Sequence, residues 1–533
     1  MHPTLQYPNR LLLVALGLGL CADYLFYGRW LGVSVPLFVA LGLAALYGLS
    51  RAERRPPARA NLWLGAGALF FALCVALRDS PFLAALDLLA ALSLLLLVAA
   101  HYRGAALTQL PGWRILAGAL ILPTEIGLRP APLALQSLGS IRIDGEQTRR
   151  LVPVGRGLAL AVPVVTVFTG LLMAADSVFA SYVLQITTLR LPFDPSLLLA
   201  HLAIAGATAW LYAGGALTAL ASGDRAALLD RASGYADRLF GGGWGARQPA
   251  GELPAEGDTR PLPELRRPLL TLGWVEALTV LVAVDVLFGS FMLIQAAYFF
   301  GGLDTLDRTG MTYSHYARRG FFELVAVVCL ALALLWGLAL LVRRERIWQR
   351  QAFNGACAAL IGLTFGMLAS AFQRMWLYEQ AYGYTRLRLY THSFMIWLAL
   401  VLALFLLALL RDRPRLFMFG GFVSALAYLA VLNLANPDAL IVRENLARYQ
   451  ASGKLDAYYL TGLSADATPD LVAALPTLDE ASRATIAETL VWQREALTTA
   501  EAGQGWPSWS LPRARALAAL ELAALPPMPT SDR

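Results

Sequence analysis

From Leu11 to Leu434 the chain repeats one pattern, an apolar run of roughly twenty residues followed by a short polar turn. A run of that length spans ~30 Å of hydrocarbon when helical. Inside a bilayer each backbone N–H and C=O needs a partner within its own segment, which leaves helices or closed barrels. The runs are too long and too continuously apolar for barrel strands, so the pattern predicts an all-α, polytopic transmembrane helical bundle. Predicted spans are 11–27, 31–50, 61–77, 82–101, 157–180, 197–222, 271–300, 318–342, 352–377, 388–410 and 416–435. Only 15% of the residues are charged, against roughly 25% in soluble domains. The stretch 113–139 is apolar but broken by Pro123, Pro130 and Pro132, with Glu125 inside it. It reads as a re-entrant or interfacial segment, with a tight pair of short spans as the alternative. The run after Arg10 resembles a signal sequence, but no small-residue cleavage site follows, so it reads as an uncleaved first helix.

Arginine sets the expected orientation. Loops 51–60, 102–114, 140–156, 223–267, 343–350 and 411–415, with Arg10, hold twenty-five arginines, and the opposite loops hold nine. The positive-inside rule then puts the N-terminus in the cytoplasm, and eleven crossings put the C-terminus outside. The same count explains the net charge of +7 without nucleic acid. Cys21, Cys74, Cys329 and Cys357 lie within apolar runs and read as small buried hydrophobes.

The domain division expected is 1–435 for the transmembrane part and 436–533 for a small helical C-terminal domain on the outer side. Within the first, 223–267 is a cytoplasmic loop whose first half suits an amphipathic surface helix and whose second half is Gly/Pro-rich. Its glycine run has no following Gly-Lys-Ser/Thr and no preceding strand, so it is no phosphate loop. In the tail, Ser464 and Asp466 are positioned to cap a helix that starts near Pro469.

An ionisable side chain at the bilayer centre costs ~2.5–3.5 kcal/mol on insertion scales, so each one needs a reason. Asp23, Asp87 and Asp176 fall near the outer ends of their spans, Glu323 lies one or two turns into the eighth, and Gln373 and Arg374 close the ninth. Arg386, Arg388 and His392 open the tenth, and Asp285 is the deepest. Glu276 precedes Asp285 by nine residues, about half a turn out of phase, so the two acids cannot form a dyad. This distribution suggests a polar vestibule open to the outer side, with Arg318, Arg319, Tyr382 and Tyr390 also around it. No HExxH, nucleophile elbow or histidine pair at ligand spacing occurs. No cofactor is implied. His101 and His201 read as isolated interfacial residues, while His315 and His392 meet only if the eighth and tenth helices are neighbours.

CADYLFYGRWLGVSVPLF, GRGLALAVPVVTVFTGLLMAADSVFA, TYSHYARRGFFELVAVV, YEQAYGYTRLRLYTHSFMIW and NLARYQASGKLDAYYLTGLSADATPDL follow one another along the chain. Together they resemble a bacterial family of polytopic inner-membrane proteins catalogued as a domain of unknown function (the 4173/4153-type domain). Asp176, Arg319, Gly320, Phe321, Glu323, Tyr382, Gly383, Thr385, Arg388 and Tyr390 stand in those segments. The resemblance implies the membrane fold and carries no activity, substrate or cofactor with it.

Three functions fit these residues. Transporter-like handling of a small molecule or lipid at the vestibule leads, because intramembrane acids, arginines and proline-broken helices are what carriers use. A membrane-embedded enzyme acting on a lipid-linked substrate is the alternative, with arginines suited to a phosphate head group. The third is a sensor or assembly factor that binds an envelope protein through 436–533.

Overall fold

The structure, a computed structural model, describes residues 6–104, 106, 122–123, 125–134, 195–240, 274–300, 321–342 and 346–526; for 195–196, 199, 223–240, 294–300, 321–323, 340–341, 381, 414–415 and 501 it describes the backbone alone. The architecture is all-α, with no sheet among the described residues. The bundle contains α1 (Pro8–Phe26), α2 (Ser34–Ala52), α3 (Leu62–Leu77), α4 (Pro81–His101), α5 (Pro195–Phe240), α6 (Trp274–Phe300), α7 (Phe321–Leu341), α8 (Ile347–Tyr382), α9 (Arg386–Leu410) and α10 (Pro414–Ala435). The tail adds α11 (Pro437–Ser452), α12 (Ala457–Thr461), α13 (Thr468–Ala474), α14 (Glu480–Gln504) and α15 (Leu511–Leu522).

Prolines mark the starts. Pro8, Pro81, Pro414 and Pro437 each sit in the first turn of their helices, where the missing N–H has no helical partner to lose. Between α10 and α11, Asn436 adopts a left-handed conformation at φ 51°. Pro437 disfavours a helical residue before it, and asparagine tolerates the left-handed alternative, so the membrane helix ends there.

Ten of the predicted spans coincide with helices, and the eleventh, 157–180, lies outside the described residues. Nine described helices are long and apolar enough to cross a membrane, and α7 contains a shorter apolar helix, Leu324–Ala339. The turn expected after residue 377 begins later. α8 continues to Tyr382 because Met375 and Glu379 keep one of its faces buried beyond the apolar run. The helix expected in the first half of 223–267 is present as a continuation of α5 rather than a separate segment. Of 113–139, residues 125–134 are largely helical, and Leu122 and Ile126 pack against Ala99 of α4.

Two apolar cores divide the bundle. One joins α1 to α5 with α10, through residues such as Leu11, Leu64, Leu83, Leu220 and Leu432. The other joins α6 to α9, through Leu281, Leu335, Leu360, Met395 and Phe405. A third core holds the tail together around Ile441, Leu460, Leu471, Ile486 and Leu520, and Tyr384 and Leu389 of the bundle pack onto it.

Helices joined by described turns alternate in direction, while α5 runs the same way as α4, and the described loops collect at two ends. At one end Glu53 accepts the backbone N–H groups of Gln6 and Tyr7, Arg55 and Arg103 donate to the Leu220 carbonyl, and Arg350 pairs with Asp412. At the other, the tail covers the turns around Trp30, Asp79 and Tyr384. The sequence expectation that 51–60, 343–350 and 411–415 share a side matches this arrangement for the described residues 51–60, 346–350 and 411–415.

Candidate functional site

The tail-facing end is built on turns whose sequences leave polar groups projecting. Between α8 and α9, Gly383 has φ +77°, and a Cβ there would lie 2.4 Å from Asn445 Oδ1. With glycine in place, Asn445 accepts the Tyr384 N–H at 3.0 Å and donates to the Tyr384 carbonyl at 2.8 Å. The next residues anchor the tail further. Arg386 makes a two-pronged contact with Asp438, which is 1% exposed, and its N–H donates to Tyr459 Oη. Burial opposes the ionisation of Asp438, but hydrogen bonds from Arg386 and Ser464 outweigh it and hold the carboxyl below its usual range.

The turn between α3 and α4 is held differently. The Asp79 N–H donates to Asp466 at 2.6 Å, and the Ala465 N–H donates back to Asp79 at 3.4 Å. Asp466 therefore does not cap the α13 helix as its sequence position suggests; its carboxylate is engaged by the membrane part. Arg78 approaches Asp466 at 3.6 Å, and Arg513 approaches Asp79 at 3.4 Å. Burial pushes both Asp79 and Asp466 above the ordinary carboxylate value, against the pull of these arginines.

Two cavities flank α15. The larger, about 520 Å³, lies between the α1–α2 loop and the tail. Trp30, Trp506, Trp509 and Arg513 line it, with Ser508 and Gln504. Arg513 lies over the Trp30 ring, 5.1 Å from its centroid, and also donates to Leu31 and Ser510. Ser508 is 8% exposed and its Oγ has no hydrogen-bond partner. Gly32 permits the close approach of the loop: a Cβ there would fall 2.3 Å from the Trp509 carbonyl. The smaller cavity, about 260 Å³, is lined by Arg78, Arg443, Arg515, Asp466 and Asp470.

Three polar pairs sit in the helices below this end. Asp87 of α4, fully buried, accepts from Asn433 Nδ2 of α10 at 2.8 Å. Glu379 of α8, 1% exposed, meets His392 Nδ1 of α9 at 2.8 Å, with Phe372 edge-on to the imidazole. Asp23 of α1 meets His201 Nδ1 of α5 at 2.8 Å. His201, isolated in sequence, is thus paired in the fold. His392 is paired with Glu379, whereas its suggested neighbour His315 lies outside the described residues.

Of the sequence-derived vestibule residues, those with described side chains sit on α6, α8 and α9. Asp176, Arg318 and Arg319 lie outside the described residues, and Glu323 falls on the first turn of α7, described there by its backbone alone. Asp285 is half-buried on α6, with Oδ1 enclosed and unpartnered. Gln373 is exposed and Arg374 half-buried on α8. Arg388 and Tyr382 do meet: Arg388 donates to the Tyr382 and Gly383 carbonyls and lies over the Tyr378 ring, while the Tyr382 side chain stays exposed. Tyr390 turns toward the first half of the bundle and packs on Phe82. Sequence reading missed Glu379, whose signal was an acid one turn before a helix-ending glycine and thirteen residues before a histidine. It also missed the tryptophan cavity, whose walls come from opposite ends of the chain. Among the described residues no group of three or more His, Cys, Asp and Glu side chains could hold a metal ion.

A helical bundle with nine described spans and charged groups enclosed among them is a polytopic membrane protein. Within that class the chain belongs to the family described as Domain of unknown function (DUF4153), which matches residues 65–474. No curated protein and no solved structure matches the chain. The matched residues include Arg78, Asp79, Asp87, Asn433 and Asp466, whereas every residue lining the tryptophan cavity falls outside them.

Proposed function

We propose that this protein holds an amphipathic molecule, a lipid or lipid-linked head group, at the tail-facing end of its bundle and handles it as a carrier. The observation behind this reading is the 520 Å³ cavity between the Trp30 loop and the tail. Its size falls in the ordinary range for small-molecule sites. Indole rings offer an apolar body and a polar N–H, which suits the boundary between acyl chains and water. Arg513 adds a planar fork for a phosphate or carboxylate, and the unpartnered Ser508 hydroxyl adds a further polar contact. Enclosed polar pairs beneath the cavity favour a carrier, since such groups mark solute and ion pathways in membrane proteins. By the arginine count the cavity opens on the outer side.

Native mass spectrometry from anionic-lipid nanodiscs tests this reading. The wild type should retain a lipid adduct at activation energies that strip annular lipid, and Trp506→Ala and Arg513→Gln should each weaken it about tenfold, the loss of ~1.4 kcal/mol. Equal retention in all three proteins would remove the cavity from consideration. Conversion of the retained molecule into a product would replace carriage by catalysis.

A further inference from the structure

Among the described residues Asp87 is the most enclosed acid of α1 to α5, and its surroundings are incomplete. It is 0% exposed, and Asn433 beside it is 4% exposed. Asn433 Nδ2 donates both to Asp87 Oδ1 at 2.8 Å and to the Leu429 carbonyl at 3.0 Å, which fixes the orientation of the amide. Asp87 Oδ2 and Asn433 Oδ1 are left without partners. A neutral amide supplies one hydrogen bond and no charge, so it cannot by itself compensate a carboxylate in this setting. A proton on Oδ2 removes the charge and leaves the observed bond on Oδ1 intact.

The titratable and charged groups that act on Asp87 are Arg78, in the turn before its own helix, and the Cys74 thiol of α3. From α10 it meets the neutral Asn433. On α5 the ionisable groups are engaged elsewhere: His201 meets Asp23 of α1, and Tyr212 donates to the Gly42 carbonyl. Arg78 is the one cation of this set, and it is already engaged. It donates to the carbonyls of Asn433 and Leu77 and approaches Asp466 of the tail at 3.6 Å. One asparagine therefore holds Asp87 with its side chain and Arg78 with its backbone.

We propose that Asp87 is a reversible proton-binding site inside the bundle and that Arg78 is shared between Asp87 and Asp466. With Asp87 protonated, Arg78 serves Asp466 and the tail is held on the turn between α3 and α4. When the proton leaves, the new carboxylate competes for Arg78 and draws it from Asp466. The site goes beyond the amphiphile reading and does not depend on it.

Dicyclohexylcarbodiimide tests this, since it modifies protonated carboxyls in apolar surroundings. The full-length protein in nanodiscs is labelled across a series of buffers, and the adduct is located by peptide mass, with Asp87→Asn identifying the modified peptide. Labelling of Asp87 should fall with rising pH through one transition. Arg78→Gln should move its midpoint upward, because a cation that favours the carboxylate is gone. Asp466→Asn should move it downward, because Arg78 is released to Asp87. Each shift should be about one pH unit. The proposal is overturned by an unlabelled Asp87, by labelling that ignores pH, or by variants that leave the midpoint in place or move it the other way. Protection by sodium at fixed pH would also overturn it, by making a metal cation the occupant. If either variant fails to fold, the wild-type titration decides alone.

Discussion

The tail grips the two halves of the bundle by different chemistry. On the second half, α6 to α9, Arg386 and Asp438 form a matched pair, and Asn445 exchanges two hydrogen bonds with Tyr384. On the first half, Asp79 and Asp466 each accept a backbone N–H from the other's segment while burial pushes both toward protonation. One contact is a fixed latch whose carboxyl is held ionised. The other should respond to protons, and it borders the tryptophan cavity through Arg513. The comparison teaches that movement of the tail should start at the first half, with the second half as its hinge.

The largest effect that could break this contrast is Arg386→Ala. It leaves Asp438 buried without its partner and should cost about 3–5 kcal/mol. Hydrogen exchange at residues 437–464 should rise accordingly; unchanged protection there would mean that the latch is elsewhere. Next come the glycines. Gly383→Ala should cost about 1–3 kcal/mol for its positive-φ, extended-ψ backbone alone, with loss of the Asn445 exchange added. Gly32→Ala should instead push the Trp30 loop from the Trp509 carbonyl, so indole fluorescence should change while protection around Asn445 stays.

The pH response should separate the halves further. Asp79 and Asp466 have folded values above 3.8, so between 3.8 and those values the folded state binds protons that the unfolded tail does not. Their contact is strongest on the acid side of that window and weakens as pH rises through it. Asp438, held below 3.8, contributes fully above that value and loses its contribution only as pH falls through its folded one. Exchange at the Asp79 and Ala465 amides, corrected for intrinsic rates, should therefore respond at higher pH than exchange at Ser464. The smallest effect is Arg443→Ala, which removes an exposed pair with Asp470 and should change stability by less than about 1 kcal/mol.

Much of the fold was legible because hydropathy along a helix reports depth in a bilayer. The apolar runs located the helices, and the described arginine-rich turns at 51–60 and 411–415 lie at one end. Depth says nothing about which way a residue faces. Asp23 and His201 both appeared at span ends, yet only packing of α1 on α5 reveals that they meet across 178 positions. Asp87 and Asn433 are 346 positions apart, and Asp79 and Asp466 are 387 apart. Asp466 illustrates the limit well: its local pattern suggests a cap, while its partner lies in the first half of the chain. The vestibule residues were chosen by depth, so Arg388 and Tyr390, two positions apart, serve different faces of α9.

The length of α8 carries one more consequence. As 36 residues it measures about 54 Å, against ~30 Å of hydrocarbon. Near its start Arg350 is tied to Asp412, and near its finish Gln380 accepts from Arg448 of the tail. A rod fixed at both ends accommodates a thinner or thicker bilayer by tilting. Bilayers of longer or shorter acyl chains should therefore change the angle at which the tail meets the membrane, read as amide exchange around Arg448.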